Sequence, residues 1–335
     1  MTTQMGSASD CIDTWSARCA RVMWLALCGL ITAGCASAPA SPDTVLSMDD
    51  VDRFAAVMHA SHPAPDAAAL QRGYLDPGSP ALHAFDRDAI GGASRLADAV
   101  AAQPQRWRMA LARCGSEAAR REAALDAQAI AAAYAHVFPD FVVPPIHVLA
   151  GADSSSGMRL PGPTIAVAVE RVCATPDWRP GFRALLAHEF AHVPQPEWPD
   201  DAPLRRDLLA WALREGAANY LGALVRGEDP SGADDAWAMA READLMAAFH
   251  HDRAVMRAHW QGDAPDAEAV AAGTRWFWNA ATPDRPQDLG YWIGQRIWHG
   301  YVTRAPDRDL ALRAMLRLDD LDGVLQSSGY APVGD

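Results

Sequence analysis

The pattern of apolar and polar positions predicts that most of the chain is helical. Ser47 and the acidic residues after it begin a helical pattern that ends near His59, and an Ala-rich stretch with regularly spaced Arg and Glu covers 104–137. The segment 72–82 is rich in Pro and Gly, so we expect it to be a loop. Proline and glycine then separate further helical patterns at about 181–193, 203–226, 234–260, 266–280, 287–304 and 308–326.

Between these helical regions the composition changes to β-branched residues. They are concentrated in 141–151 and 164–172, and a Gly/Ser/Pro-rich segment separates the two stretches. Every other residue from Ile165 to Val169 is β-branched, which is the period of a strand with one buried face. We therefore expect a small antiparallel sheet directly before the helix at 181–193.

These patterns predict one domain over 46–335 with an α+β, predominantly helical fold. Its helical N-terminal part would cover 46–138, and its core, with the sheet and the later helices, would cover 139–335. The chain has 335 residues, of which 50% are hydrophobic, so it can bury a large core.

The beginning of the chain has the features of an export signal. Two arginines precede an apolar run over 22–31, which has the length of a signal-peptide core and is too short to span a bilayer as a stable helix. The sequence "LITAGCASAP", which contains Cys35, resembles a bacterial lipoprotein signal. The resemblance implies a signal sequence over 1–35 with a lipidated Cys35, followed by a flexible tether over 36–45.

A lipoprotein of this kind would be exported to the cell envelope. Because Ala36 rather than Asp follows the cysteine, the resemblance favours the outer membrane, with the protein facing the periplasm. A lipid on Cys35 would anchor the protein to the membrane without making it integral. The alternative is a simple cleaved secretory signal or a weak buried helix.

Charge and cysteine content narrow the possible partners and compartments. The formal net charge is −13, and the basic residues are scattered among acidic ones. No nucleic-acid partner is expected, because such binding needs a cluster of Lys and Arg. Only Cys114 and Cys173 lie beyond the proposed signal. They could form one disulfide in an oxidising compartment or remain two buried thiols.

Candidate chemistry is concentrated in the stretch "RALLAHEFAHVPQPEW" at 183–198. His188 and His192 are four residues apart, so a helix would place both imidazoles on one face, where they could bind zinc. Glu189 would project beside the metal, within reach of a water in its open coordination position, and could act as general base and acid. The alternative is an ordinary buried helix that contains histidines.

A third ligand is expected on the next helix, in "REGAANYL". Glu215 lies in an apolar stretch, and a buried carboxylate needs a partner, which a zinc ion would supply. Asn219, one turn later, is placed to accept a hydrogen bond from a ligating histidine. The small residues Gly216, Ala217 and Ala218 would let this helix approach the histidine helix closely. In the alternative interpretation, Glu215 pairs with Arg214 or another arginine.

These two motifs carry a resemblance to a known family. Together they are similar to the gluzincin metallopeptidases, in which a glutamate on a downstream helix completes HExxH. More narrowly, they resemble the predicted zinc-dependent proteases related to the gliding-motility lipoprotein B group. That group has a Gln after HExxH, here Gln195, then EGxAxY, here Glu215 to Tyr220, and a GYxxG segment, here 290–294. The resemblance spans roughly 140–305.

The resemblance implies a zincin-like core and one zinc ion held by His188, His192 and Glu215. It also implies a hydrogen-bond donor to the oxyanion on the far side of the cleft. Tyr291 is the first choice for this role and His299 the second. The alternative is that their helix is simply an aromatic packing helix.

We therefore expect a zinc-dependent hydrolase that cleaves peptide bonds in peptide or protein substrates by attack of a zinc-bound water, with Glu189 as general base and acid. The strand at 164–169 is expected to lie along the cleft and to bind an extended peptide through its main chain. One alternative is a non-catalytic envelope lipoprotein that keeps zinc for stability and acts as a scaffold or adaptor. Another is a zinc-dependent amidase that acts on cell-wall peptides.

Overall fold

The computed structural model describes residues 46–198, 203–260, 264–279 and 281–332. The predicted signal sequence with Cys35 and the tether at 36–45 lie outside the described residues. All described residues belong to one compact unit. No helix among them is long and apolar enough to span a membrane.

The N-terminal part is helical, as predicted. Its helices are α1 (Asp49–Ala60), α2 (Ala67–Leu70), α3 (Pro80–Phe85), α4 (Ala93–Ala102), α5 (Pro104–Cys114) and α6 (Glu117–Val137), with π-helical turns at Gln71–Leu75 and Asp86–Ile90.

Two details of this region differ from the sequence prediction. The stretch 104–137 forms two helices rather than one, because the Ser116 hydroxyl caps α6 by accepting a hydrogen bond from the backbone N–H of Ala119. The prediction of a loop at 72–82 was wrong over part of its length. Ser79 caps α3, and Pro80 occupies the first helical turn, where proline is favoured.

A four-stranded sheet lies between the two helical regions. Its strands are β1 (Leu46–Ser47), β2 (Ile146–Leu149), β3 (Gly157–Leu160) and β4 (Thr164–Ala168), in the order β1-β2-β4-β3. The pairs β1–β2 and β2–β4 are parallel, and β3–β4 is antiparallel. The prediction of an α+β, predominantly helical fold is thus confirmed, but the antiparallel sheet is wrong because the sheet is mixed.

The unpredicted strand β3 explains the mixed sheet. After β2 the chain crosses to the outer edge of the sheet and forms β3, and a turn at Gly162, with φ of 76°, returns it as β4 between β2 and β3. All residues from Ile165 to Ala168 are buried, so β4 is covered on both faces rather than one. The predicted strand at 164–172 ends at Ala168, where a short helix, α7 (Val169–Val172), begins.

The remaining helices overlap the predicted segments, but 234–260 and 308–326 each form two helices rather than one. They are α8 (Arg179–His192), α9 (Leu208–Val225), α10 (Ala236–Met239), α11 (Glu242–His259), α12 (Ala267–Thr274), α13 (Leu289–Arg304), α14 (Arg308–Arg317) and α15 (Leu321–Ser328), with a 3-10 turn at Pro203–Arg206.

Helix α9 is the centre of this half of the molecule, because it packs against both α8 and α13. Gly216 on α9 and Gly294 on α13 lie at the crossing, and a Cβ atom on Gly294 would overlap the carbonyl group of Ala212. Of the three small residues expected to face the histidine helix, Gly216 faces α13 instead, so the prediction was wrong for this residue. Gly222 faces the histidine helix, since a Cβ there would lie 3.3 Å from the backbone nitrogen of His188.

A disulfide links the two helical parts of the chain to each other. It joins Cys114, at the end of α5, to Cys173, directly after α7, across 59 residues of sequence. Of the two possibilities left open by the sequence, the structure therefore has the disulfide rather than two free thiols.

Candidate metal centre and its cleft

Three of the predicted ligand atoms converge on one point. The Nε2 atoms of His188 and His192 are 3.1 Å apart, and Oε2 of Glu215 lies 3.2 Å from the first and 3.3 Å from the second. In a tetrahedral zinc site with bonds of about 2.05 Å, neighbouring ligand atoms are about 3.3 Å apart. The nearly equilateral triangle of donors therefore fits a zinc ion.

Local helix geometry produces this arrangement. His188 and His192 lie one turn apart on α8, so their rings project from the same face. Glu215 comes from α9, which approaches α8 closely at Gly222. The convergence therefore depends on the contact between two helices as well as on the spacing within one.

The hydrogen bond to His192 fixes which ring nitrogen carries the proton. Nε2 of Gln195 donates to the carbonyl oxygens of Arg214 (3.3 Å) and Met315 (3.0 Å), so its Oε1 must be the acceptor toward His192. The His192 Nδ1–H donates to that oxygen at 2.7 Å. Nε2 of His192 therefore presents a lone pair to the site.

His188 is held in the same way by the predicted partner. Its Nδ1 lies 2.9 Å from Oδ1 of Asn219 on α9, and with Nδ1–H as donor its Nε2 also presents a lone pair. Two lone pairs and the carboxylate of Glu215 then face one another at hydrogen-bonding distance. Such a set of acceptors requires a cation or a proton between them, and a divalent metal satisfies all three at once.

Glu215 is oriented toward the histidines and away from Arg214. Burial would raise the pKa of its carboxyl group, but the neighbouring rings of His192 and His188 hold this pKa well below its usual range. Arg214 instead donates to the carbonyl of Pro196 at 2.8 Å and lies over the ring of Trp198. The structure therefore contradicts the interpretation in which Glu215 pairs with Arg214.

Glu189 lines the same cleft as His188. Its side chain is buried, and burial raises the pKa of its carboxyl group. The nearby histidine rings and the backbone N–H of Arg159 oppose part of this shift. A carboxylate with a raised pKa, beside a metal position, is suited to accept a proton from water and to return it.

Tyr291, on α13, lies next to the metal ligand His188. Its ring stacks on His188 at 5.9 Å between ring centres, and it lines the cleft. Burial, with the charges of Glu215 and Asp288, raises the pKa of Tyr291, so its hydroxyl group stays protonated and can donate. His299 does not line this cleft, and its buried Nδ1 has no hydrogen-bond partner in the described part of the chain.

The cleft has a volume of about 910 Å³, and residues of β3 line it beside the metal position. The expectation that the strand at 164–169 lies along the cleft edge was wrong, since β4 is an inner strand of the sheet. β3 is the edge strand on the cleft side, and the backbone N–H of its residue Arg159 is a hydrogen-bond partner of the Glu189 carboxylate.

Sequence reasoning missed three residues of this region. Gln195 was noted as part of a motif but not as the partner of His192. Trp278 and Asp288 also line the cleft, and both have a positive φ. No local pattern singled them out, because they come from a segment that is close to the metal position only in the folded chain.

No protein-family model, curated protein or solved structure matches this chain significantly. The resemblance to the gluzincins thus rests on the motifs alone, and the donor geometry stands beside it as a separate observation.

Proposed function

We propose that this protein is a zinc-dependent hydrolase that cleaves peptide bonds. The observation that carries the proposal is the triangle of donor atoms from His188, His192 and Glu215, with the buried carboxylate of Glu189 in the same cleft. The resemblance of both motifs to gluzincin metallopeptidases supports the same chemistry. A single zinc ion is the proposed cofactor.

The side chains divide the work of hydrolysis among them. Zinc, when bound by the three ligands, would polarise the substrate carbonyl and lower the pKa of a water. Glu189 takes a proton from the attacking water as its oxygen forms a bond to the carbonyl carbon. When the C–N bond breaks, Glu189 returns this proton to the leaving amine nitrogen. The Tyr291 hydroxyl donates a hydrogen bond to the oxyanion that develops on the carbonyl oxygen.

The substrate is positioned by the edge of the sheet. An extended peptide that pairs with the outer edge of β3 would lie along the cleft next to Glu189. This mode of binding uses main-chain groups, so it suits peptide or protein substrates of varied sequence.

We further propose that the protein is an exported lipoprotein of the bacterial cell envelope, attached through Cys35 to the outer membrane and facing the periplasm. The resemblance of "LITAGCASAP" to a lipoprotein signal supports this location. So does the disulfide between Cys114 and Cys173, since disulfides persist in oxidising compartments.

Metal analysis and peptide cleavage test the enzymatic proposal together. The purified protein should carry one zinc ion per chain, and His188→Ala should remove it. A chelator should abolish cleavage of unfolded peptides, and Glu189→Gln should abolish cleavage while zinc stays bound. A wild-type protein without stoichiometric zinc would contradict the proposal. Zinc with no turnover on any peptide would instead favour the scaffold or adaptor.

A further inference from the structure

An exposed tryptophan lies at the rim of the cleft in a strained backbone conformation. Trp278 is 70% exposed and has φ of 60°, a value that is rare for a bulky side chain. Its backbone N–H donates to Oδ1 of Asp288 at 2.8 Å, and Asp288 also has a positive φ, of 54°. Strain of this kind persists where the surrounding structure enforces it, and it is concentrated at functional sites.

The indole ring of Trp278 is supported by other aromatic rings. Trp211 meets it edge-to-face at 5.6 Å between ring centres, and Phe277 lies at 5.8 Å. The remaining surface of the ring is open, and the residue lines the cleft together with Tyr291. A rigid aromatic surface is thus presented to whatever occupies this part of the cleft.

Asp288 places a carboxylate beside this aromatic surface. It is partly buried, lines the cleft, and forms no ion pair with any described residue. Although it precedes α13, its side chain does not cap that helix. Burial raises the pKa of its carboxyl group, and the charge of Glu215 adds to the shift. The Trp278 N–H already donates to this carboxylate and opposes part of the shift, and a positive group bound beside it would offset the remaining cost of desolvation.

We propose that Trp278 and Asp288 form a subsite for a basic side chain, Lys or Arg, of a peptide bound in the cleft. An indole face next to a carboxylate complements a cation, because the ring attracts positive charge and the carboxylate pairs with it. The inference rests on the proposed peptidase function and names its substrate class. The arginines that also line the cleft do not neutralise Asp288, and Arg171 is already paired with Asp153.

The test measures peptide preference in the zinc-loaded, full-length protein. A set of peptides carries Arg, norleucine or Glu at each position in turn, and kcat/KM is measured for each peptide. At one position Arg should exceed norleucine by about tenfold, and Glu should be the poorest. Asp288→Asn should bring the Arg-to-norleucine ratio close to one. Asn keeps an oxygen for the Trp278 N–H and tolerates a positive φ.

Two further variants separate recognition from folding. Trp278→Gly should lower the same ratio in a folded protein whose melting temperature is close to that of the wild type, because relief of the positive φ offsets the lost contacts with Trp211 and Phe277. Asp284→Asn is the matched control, since Asp284 is an exposed carboxylate of the same segment that does not line the cleft. It should leave the ratio unchanged.

Binding to Glu189→Gln distinguishes failure of this inference from failure of the proposed function. Calorimetry measures the affinity of the Glu189→Gln protein for the Arg and norleucine peptides. The same measurement is made on the double variant that also carries Asp288→Asn. Cleavage without a preference for Arg, or with a preference for norleucine, overturns the subsite. An absence of cleavage with a binding preference that Asp288→Asn removes supports the subsite and overturns the peptidase function. If the protein shows no cleavage and no binding preference, both the subsite and the peptidase function are overturned.

Discussion

At the scale of single residues, Gln195 connects two metal ligands through its hydrogen bonds, a role that its place in the motif does not reveal. It accepts from His192 and donates to the carbonyl of Arg214, the residue directly before Glu215. One amide therefore connects a ligand on α8 with the backbone that carries the ligand on α9. Ligand orientation in such sites is set by these outer hydrogen bonds, which are worth roughly 10- to 100-fold in metal affinity.

We expect Gln195→Leu to weaken zinc binding by about 10- to 100-fold, because His192 loses the acceptor that fixes its proton on Nδ1. Competition with a chromophoric chelator measures the zinc affinity directly, without reference to activity. Gln326→Leu, an exposed glutamine on α15, is the control and should bind zinc like the wild type. Equal affinities in a folded Gln195→Leu protein would show that the amide does not hold the ligand.

At the scale of elements, the crossing of α9 and α13 positions the site. Glu215 lies on α9 and Tyr291 on α13, and the two helices meet at Gly216 and Gly294 with no room for a side chain. The distance from the metal ligand to the proposed hydrogen-bond donor is therefore set by backbone contact.

Gly294→Ala should destabilise the protein by about 3 kcal/mol or more, because the new Cβ overlaps the carbonyl of Ala212 and forces the helices apart. The free energy of unfolding in urea measures this. Gly181→Ala, in α8, is the matched control, since beyond its chain neighbours and its own helix backbone no described atom lies within 4 Å of its Cβ position. It should be neutral or stabilising by up to about 1 kcal/mol. Similar effects for both variants would contradict the close crossing.

The elements also show how far sequence reasoning extends. The positions of His188 and His192 on one helix face follow from helical periodicity. Glu215 could be predicted as the third ligand because a carboxylate in an apolar helix needs a positive partner. Strand β3 could not be predicted, because four residues within a Gly/Ser/Pro-rich segment form a strand only through pairing with β4. The edge of the cleft was therefore assigned to the wrong strand. Trp278 and Asp288 escaped prediction for a similar reason, since tertiary contacts alone place them at the cleft.

At the scale of the whole molecule, stability should depend on pH through a buried carboxyl group that is not one of the metal ligands. Glu170, on α7, is fully buried and accepts hydrogen bonds from the backbone N–H groups of Gly151 and Asp153. Burial raises its pKa from 4.5 to about 7, although these hydrogen bonds oppose the shift. Between pH 4.5 and pH 7 the folded protein therefore keeps a proton that the unfolded chain releases.

This difference predicts that stability falls as pH rises through that window and levels off above it, with a loss of about 3 kcal/mol from this group. Glu170→Gln cannot titrate and should lack this part of the pH dependence. The free energy of unfolding in urea is measured for the metal-free wild type and for metal-free Glu170→Gln between pH 4.5 and pH 8. The histidines titrate in both proteins, so their contribution cancels in the difference between the two free energies. A difference that is constant with pH would contradict the raised pKa.

The order of the strands also has a consequence for a protein held at a surface. β1 and β3 are the two outermost strands, so three interstrand spacings, about 14 Å, separate them. The backbone enters the fold at β1, whereas the cleft opens beside β3. With a lipid on Cys35, the folded part would thus be attached to its tether at one edge of the sheet and would bind its substrate at the opposite edge.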